Sequence, residues 1–218
     1  GYNLLQAMTV MLSSEDFARD LKFDNRPLFE FILPMTETAE QLIHMQKLFQ
    51  KVAEFKSTEF TSDDEVNNDY LEVIPLVESV ESQTKVAKLL TKYIDMHDEH
   101  FGFKPKYMRV FLACSDSALS SGFLASILGN KIALSELQLF QNETGVKIYP
   151  ILGSGSLLFR GGLSPASIDR FLHEFQGVKT VSVQSSFRYD HPVSVVKQDS
   201  RNQTKNRLIL VIKNACMR

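Results

Sequence analysis

Cysteine is scarce: Cys114 and Cys216 are all the chain has. They form neither a metal-ligand spacing nor a disulfide framework, and a reducing, cytosolic compartment fits that usage. No apolar run is long enough to span a bilayer, which argues against a membrane protein. The start, Gly1-Tyr2-Asn3, has no basic stretch leading into an apolar core, so nothing reads as a secretory signal. An initiator Met is also missing, as expected of a chain processed, cut or joined from a longer one. Charge of one sign is not in excess: 24 Lys and Arg face 26 Asp and Glu. That balance excludes a general electrostatic reason for binding nucleic acid or an acidic membrane. What is present is the make-up of a soluble globular domain: 44% hydrophobic and 23% charged residues over 218 positions, enough for a sizeable core.

The chain is organised by short apolar runs that alternate with helical patterns. A lead-in, residues 1–28, predicts helical turns on either side of Ser13-Ser14-Glu15-Asp16, with a serine as N-cap of the second piece. Runs at Phe29–Pro34, Leu71–Val77, Tyr107–Ala113, Val146–Leu152 and Val178–Val183 follow, with a sixth at Arg207–Lys213. Helical spacing covers Thr38–Phe55, Thr84–Met96, a stretch within Ser117–Phe140, and Ser164–Phe175, the last opened by Ser164-Pro165. Near-continuous apolar runs, each ahead of a helix, predict parallel strands buried on both faces. The fold class is therefore α/β, built of βα units as in a TIM barrel or a doubly wound sheet. Too few units are present for a closed barrel of about eight, so an incomplete or partly covered barrel is expected. Residues 29–192 carry the βα portion. The polar stretch from Asp63 to Asp69 reads as a loop, and 193–218 as a basic terminal segment.

In parallel α/β folds the C-terminal strand ends share one rim, where sites are built. After the runs come Met35-Thr36-Glu37, Glu78-Ser79, Cys114-Ser115-Asp116, Gly153-Ser154-Gly155 through Arg160-Gly161-Gly162, and Gln184-Ser185-Ser186-Phe187-Arg188. Glu78 and Asp116 are hard oxygen donors from different strand ends, a pair suited to Mg²⁺ or Mn²⁺ completed by water and substrate oxygens. The loop from Gly153 to Gly162 offers backbone amides to an anion, and Arg160 a bidentate fork for carboxylate or phosphate. It is neither a Walker loop nor a dinucleotide fingerprint. His97 and His100 read as surface residues near a helix end, His44 and His173 as helical residues without a site, and Cys114 as structural.

Five of these pieces occur in order over residues 29–192: Phe-Glu-Phe-Ile-Leu-Pro-Met-Thr (29–36), Ile-Pro-Leu-Val-Glu (74–78), Arg-Val-Phe-Leu-Ala-Cys-Ser-Asp-Ser-Ala-Leu (109–119), Gly-Ser-Gly-Ser-Leu-Leu-Phe-Arg-Gly-Gly-Leu-Ser-Pro (153–165) and Thr-Val-Ser-Val-Gln-Ser-Ser-Phe-Arg-Tyr-Asp (180–190). In them the chain resembles phosphoenolpyruvate carboxylases of the short, archaeal type. The resemblance implies a TIM barrel, a divalent metal, a homotetramer, and carboxylation of phosphoenolpyruvate by bicarbonate to oxaloacetate and phosphate. It implies Glu78 and Asp116 as metal ligands and Arg160 and Arg188 as catalytic residues. Met35, Ser115, Gly153, Gly161, Gly162 and Gln184 would bind substrate. The pattern departs from the family in places. The family's N-terminal histidine segment and its C-terminal arginines are not found, and Cys114, Leu119 and Ser154 stand where relatives have basic residues. On that ground weak or absent activity is expected of this chain alone. Two readings compete: another Mg²⁺-dependent barrel lyase acting on pyruvate or its enolate, and a non-catalytic carboxylase fragment.

Overall fold

A computed structural model describes residues 2–23, 27–60, 70–183, 189–196 and 209–212. Six strands form one sheet: β1 (Glu30–Leu33), β2 (Glu72–Val77), β3 (Tyr107–Ala113), β4 (Lys147–Gly153), β5 (Thr180–Val183) and β6 (Ile209–Ile212). Every neighbouring pair is parallel and the spatial order is the chain order. A doubly wound sheet reverses its order at a switch point; these strands do not, so that branch of the sequence expectation falls away.

The helices are α1 (Tyr2–Asp20), α2 (Ala39–Phe60), α3 (Val80–Thr84), α4 (Val86–Phe101), α5 (Ser115–Ser121), α6 (Phe123–Thr144) and α7 (Ile168–Glu174). Strand parity decides what each face meets. Val73, Val77, Val110, Leu112, Leu152 and Val181 join Leu42, Phe49, Leu90 and Leu137 of the helices in the main core. The alternate positions Ile74, Phe111 and Ile151, with Leu76 against them, form a separate small cluster on the inner face.

That inner face is curled. Arg109 of β3 donates from Nη1 to Glu30 Oε2 of β1 at 2.6 Å and from Nη2 to Thr180 Oγ1 of β5 at 3.3 Å. Strands lie ~4.8 Å apart in a sheet, so β1 and β5 would stand ~19 Å apart if it were flat. One guanidinium reaches both only because the sheet rolls around it.

Several local expectations change. The lead-in is one continuous helix: Ser13 Oγ donates back to Thr9 O at 2.8 Å and Ser14 Oγ to Met11 O at 2.6 Å. Serines bonded to the preceding turn satisfy themselves inside a helix instead of capping a new one. The helix after β2 starts earlier than its apolar spacing suggests, because Ser79 caps α3 by accepting from Ser82 N at 3.0 Å, and Lys85 separates α3 from α4. Ser164 and Ser167 form a capping box around a 3-10 turn, Pro165–Ser167, ahead of α7.

His97 is fully buried, not a surface residue. Its Nδ1 lies 2.8 Å from Phe103 O and its Nε2 2.9 Å from the Tyr70 hydroxyl, with Tyr93, Phe101 and Phe103 around the ring. Burial pushes its pKa down, which keeps the ring neutral. His44 and His173 are exposed on α2 and α7. Among the described residues, no helix is long and apolar enough to cross a membrane.

Candidate functional site at the strand ends

The C-terminal ends of β1 to β4 gather the polar residues. Met35, just past β1, has φ +49°, a left-handed conformation costly for a residue with a side chain. The conformation aims its N–H at Glu78, whose Oε2 accepts at 2.9 Å. Thr36 N donates to Leu76 O at 3.0 Å and fastens the same turn onto β2. Glu78 itself does not cap α3, since Ser79 does. Its carboxylate is half-buried, tied through one oxygen to the β1 loop.

Asp116 is exposed in the first turn of α5, and Ser115 Oγ lies 3.4 Å from its Oδ2. Cys114 precedes it, 3% exposed. Burial pushes its thiol up to about 12, which removes it as a nucleophile at neutral pH.

The loop after β4 is an ordered turn. A 3-10 turn spans Leu158–Arg160, and Gly161 and Gly162 follow with φ +95° and +68°. Its amides are engaged internally: Gly155 N donates to Arg160 O at 2.6 Å, Gly161 N to Leu158 O at 2.9 Å and Gly162 N to Leu157 O at 3.0 Å. The expectation of an amide cradle for an anion is therefore corrected at these positions. The glycines supply positive φ and close approach, not free donors. A Cβ on Gly161 would lie 3.3 Å from Phe171 Cε2, 3.4 Å from Ser154 Cβ and 3.7 Å from Cys114 Sγ. The loop thus packs directly on the β3 end that precedes Asp116. Arg160 Nε is buried with no hydrogen-bond partner among the described residues, and its guanidinium carbon lies 5.3 Å from the centre of the Phe159 ring.

The structure joins Met35 to Glu78, Ser115 to Asp116, and the Arg160–Gly162 turn to Cys114. Gly153 ends β4, level with Ala113 and Ser182. Gln184 and Arg188 lie outside the described residues. Among those residues no group of three His, Cys, Asp or Glu side chains is arranged to hold a metal ion. Two carboxylates from neighbouring strand ends still suit Mg²⁺ or Mn²⁺, which keep several waters and take one or two protein carboxylates. Glu78 has one oxygen not engaged by Met35, and Asp116 is open to solvent, so the donors fit such an ion.

Sequence reasoning missed the residues that brace this rim. Gln83 of α3 and Asn130 of α6, both fully buried, donate from Nε2 and Nδ2 to Ala113 O at 2.8 and 3.2 Å. The signal for Asn130 was a Gly129-Asn130 pair inside an otherwise apolar helical pattern. A Cβ at Gly129 would sit 2.7 Å from Gln83 Oε1, so the glycine lets α6 approach α3. Gln83 gave no signal beyond being a polar residue in a polar stretch.

A family profile described as phosphoenolpyruvate carboxylase matches residues 3–210. The phosphoenolpyruvate carboxylase of Leuconostoc mesenteroides is 58% identical over 198 residues, covering 91% of this chain and 39% of that protein. That of Oenococcus oeni is 54% identical over 197 residues, covering 90% and 39%. The archaeal one of Pyrococcus horikoshii is 34% identical over 212 residues, covering 94% and 44%. The chain spans about two-fifths of the length of these relatives.

Proposed function

Since the chain belongs to the phosphoenolpyruvate carboxylase family, we propose that it is the part of such a lyase that joins phosphoenolpyruvate to bicarbonate, giving oxaloacetate and phosphate. The observation that carries the reading is the shared rim: Glu78 locked by the Met35 amide at the end of β2, Asp116 just past the end of the neighbouring β3, and the Arg160 turn seated on Cys114. The curled sheet with strands in chain order supports a (β/α) barrel as the complete architecture, and by family a homotetramer in a cytoplasmic compartment.

Glu78 and Asp116 would hold Mg²⁺ or Mn²⁺. Such an ion, when bound, supplies positive charge that stabilises an enolate as phosphate departs. The chain's own side chains do the remaining work. Met35 N–H fixes the Glu78 carboxylate before any ligand arrives. Ser115, beside Asp116, would offer its hydroxyl to a substrate oxygen. Arg160, partly exposed in its turn, would offer its guanidinium to an anionic oxygen and hold it near the second reactant, which lowers the entropic barrier to their reaction. Gly153, Gly161 and Gly162 let the backbone pack against Phe111, Phe171 and Leu158, which sets where the Arg160 turn stands. Gln184 and Arg188 follow β5 in sequence and would approach the same rim.

The test is calorimetric titration of Mn²⁺ and phosphoenolpyruvate into this chain and its Glu78→Gln variant. Metal-dependent phosphoenolpyruvate binding in the first, weakened at least tenfold in the second, is expected. A folded chain without metal-dependent binding would turn the reading toward a non-catalytic fragment. In the intact protein, phosphate release that needs bicarbonate separates carboxylation from aldolase-type chemistry.

A further inference from the structure

Two fully buried amides converge on one carbonyl. Ala113 O, at the end of β3, accepts from Gln83 Nε2 at 2.8 Å, Asn130 Nδ2 at 3.2 Å and Ser117 Oγ at 3.0 Å. The next carbonyl, Cys114 O, accepts from Ser126 Oγ at 2.9 Å and Ser117 Oγ at 3.2 Å. Registered pairing of β2 with β3 stops at Val77 and Leu112, so side chains from α3, α5 and α6 take over where the ladder ends. Both amides keep this arrangement at a cost. Gln83 Oε1 and Asn130 Oδ1 are buried with no partner among the described residues. An apolar side chain at either position would remove an orphaned oxygen along with one of the three donors on Ala113 O, so each amide adds little net stability there. What they accomplish is directional: they fix the plane of the Ala113–Cys114 peptide, from which Ser115 and Asp116 leave the strand.

We propose that Gln83 and Asn130 are positioning residues that set the Ser115–Asp116 turn for metal binding, acting through the Ala113 carbonyl. The metal half of this proposal rests on the reading of Asp116 as a ligand; the ordering of the turn does not. Support of this kind is how outer partners orient ligands in metal sites generally.

The experiment uses two near-isosteric variants, Asn130→Leu and Gln83→Met, each removing the donor and its orphaned oxygen together. Unfolding in urea should show stability close to that of the unaltered chain. Amide hydrogen exchange at Ala118, whose N–H donates to Cys114 O at 3.1 Å and closes the turn over Ser115 and Asp116, should quicken at least tenfold, while amides of β3 from Met108 to Leu112 hold. Mn²⁺ affinity, read by calorimetry, should fall about tenfold or more. Exchange at the turn unchanged in both folded variants overturns the proposal, whatever the metal does. Quickened exchange with Mn²⁺ affinity unchanged also overturns it, because the turn would then not serve the metal. An unaltered chain that binds no Mn²⁺ sinks the metal reading, and the exchange data still decide the ordering of the turn. If one variant does not fold, the other carries the test alone.

Discussion

Replacing Glu72 by Gln should remove a pH dependence built into the base of the sheet. Glu72 sits on the inner face of β2, and burial pushes its carboxyl up to about 7, with the Tyr70 hydroxyl opposing and the neighbouring Glu30 adding to the rise. The proton inventory agrees. His97 Nδ1 faces the carbonyl of Phe103 and so carries the ring hydrogen; Nε2 then accepts the Tyr70 hydroxyl proton at 2.9 Å. Tyr70 has one proton, and Glu72 Oε2 is the more distant claimant at 3.4 Å. Tyr70 can therefore give Glu72 at most a long hydrogen bond, too weak to offset the cost of burying the charged form. Arg109 lies across the same face but is committed to Glu30 and Thr180, and Tyr107 contributes only a neutral hydroxyl.

An acid whose folded pKa is raised binds more protons folded than unfolded between its two pKa values. Stability therefore falls as pH rises from about 4.5 to about 7, and levels off above that. At ~1.4 kcal/mol per tenfold, the full effect is about 3 kcal/mol, and partial contact with water reduces it to about 2 kcal/mol. Urea unfolding of both proteins between pH 5 and pH 8 reads it directly, since every other titration cancels in the difference. The variant should gain about 2 kcal/mol on the unaltered chain across that range. Parallel stability profiles would refute the reasoning, as would an unaltered chain that gains on the variant as pH rises.

Gly161→Ala should lower stability by about 1–2 kcal/mol, because φ is +95° there and the new Cβ meets Phe171 and Ser154; a thermal melt checks it. In a Cys216→Ser background, Cys114 should resist iodoacetamide at pH 8 in the native chain and react promptly in denaturant, since burial holds its thiol protonated. Rapid native labelling would mean that the β3 end is far more open than its packing against the Gly161 turn implies.

The strands were legible because burial on both faces leaves long apolar runs, and Tyr107–Ala113 is bounded by Pro105 and Cys114-Ser115 with little ambiguity. The rim residues were legible for a topological reason: whatever follows a strand in a parallel sheet is on the rim, so Met35, Glu78, Ser115, Asp116 and Arg160 needed no distances. Helix starts were harder. Ser13 and Ser79 look alike in sequence, yet one bonds back into its own helix and the other caps a new one, and only the path of the chain distinguishes them. His97 looked peripheral because nothing local announces that Phe103 and Tyr70 close over it. The glycine-rich loop suggested free amides, because composition does not say where the amide bonds go. Arg109 and Glu30 stand 79 residues apart. No local pattern could have paired them.

The inner face of the sheet explains why a site belongs at one end of it. Near the strand beginnings it carries Glu30, Glu72 and Arg109, whose guanidinium bridges Glu30 and Thr180 across the rolled sheet. In the middle it carries Ile74, Phe111 and Ile151. At the strand ends the same face narrows to Ala113, Gly153 and Ser182, aligned on three neighbouring strands. The change in size is enforced, because a Cβ on Gly153 would lie 2.8 Å from Phe111 Cε2. A rolled sheet brings its strand ends together; filled with large side chains, that space would be core. Small residues there let the Phe111 ring lie against Gly153 and keep the strand ends close together. Glu78, Asp116 and Arg160 stand one to seven positions beyond the strands, past that packed layer. The curl spanned by a bridge at one end and the taper in side-chain size at the other are thus two parts of one construction, and the proposed site lies just beyond the tapered end.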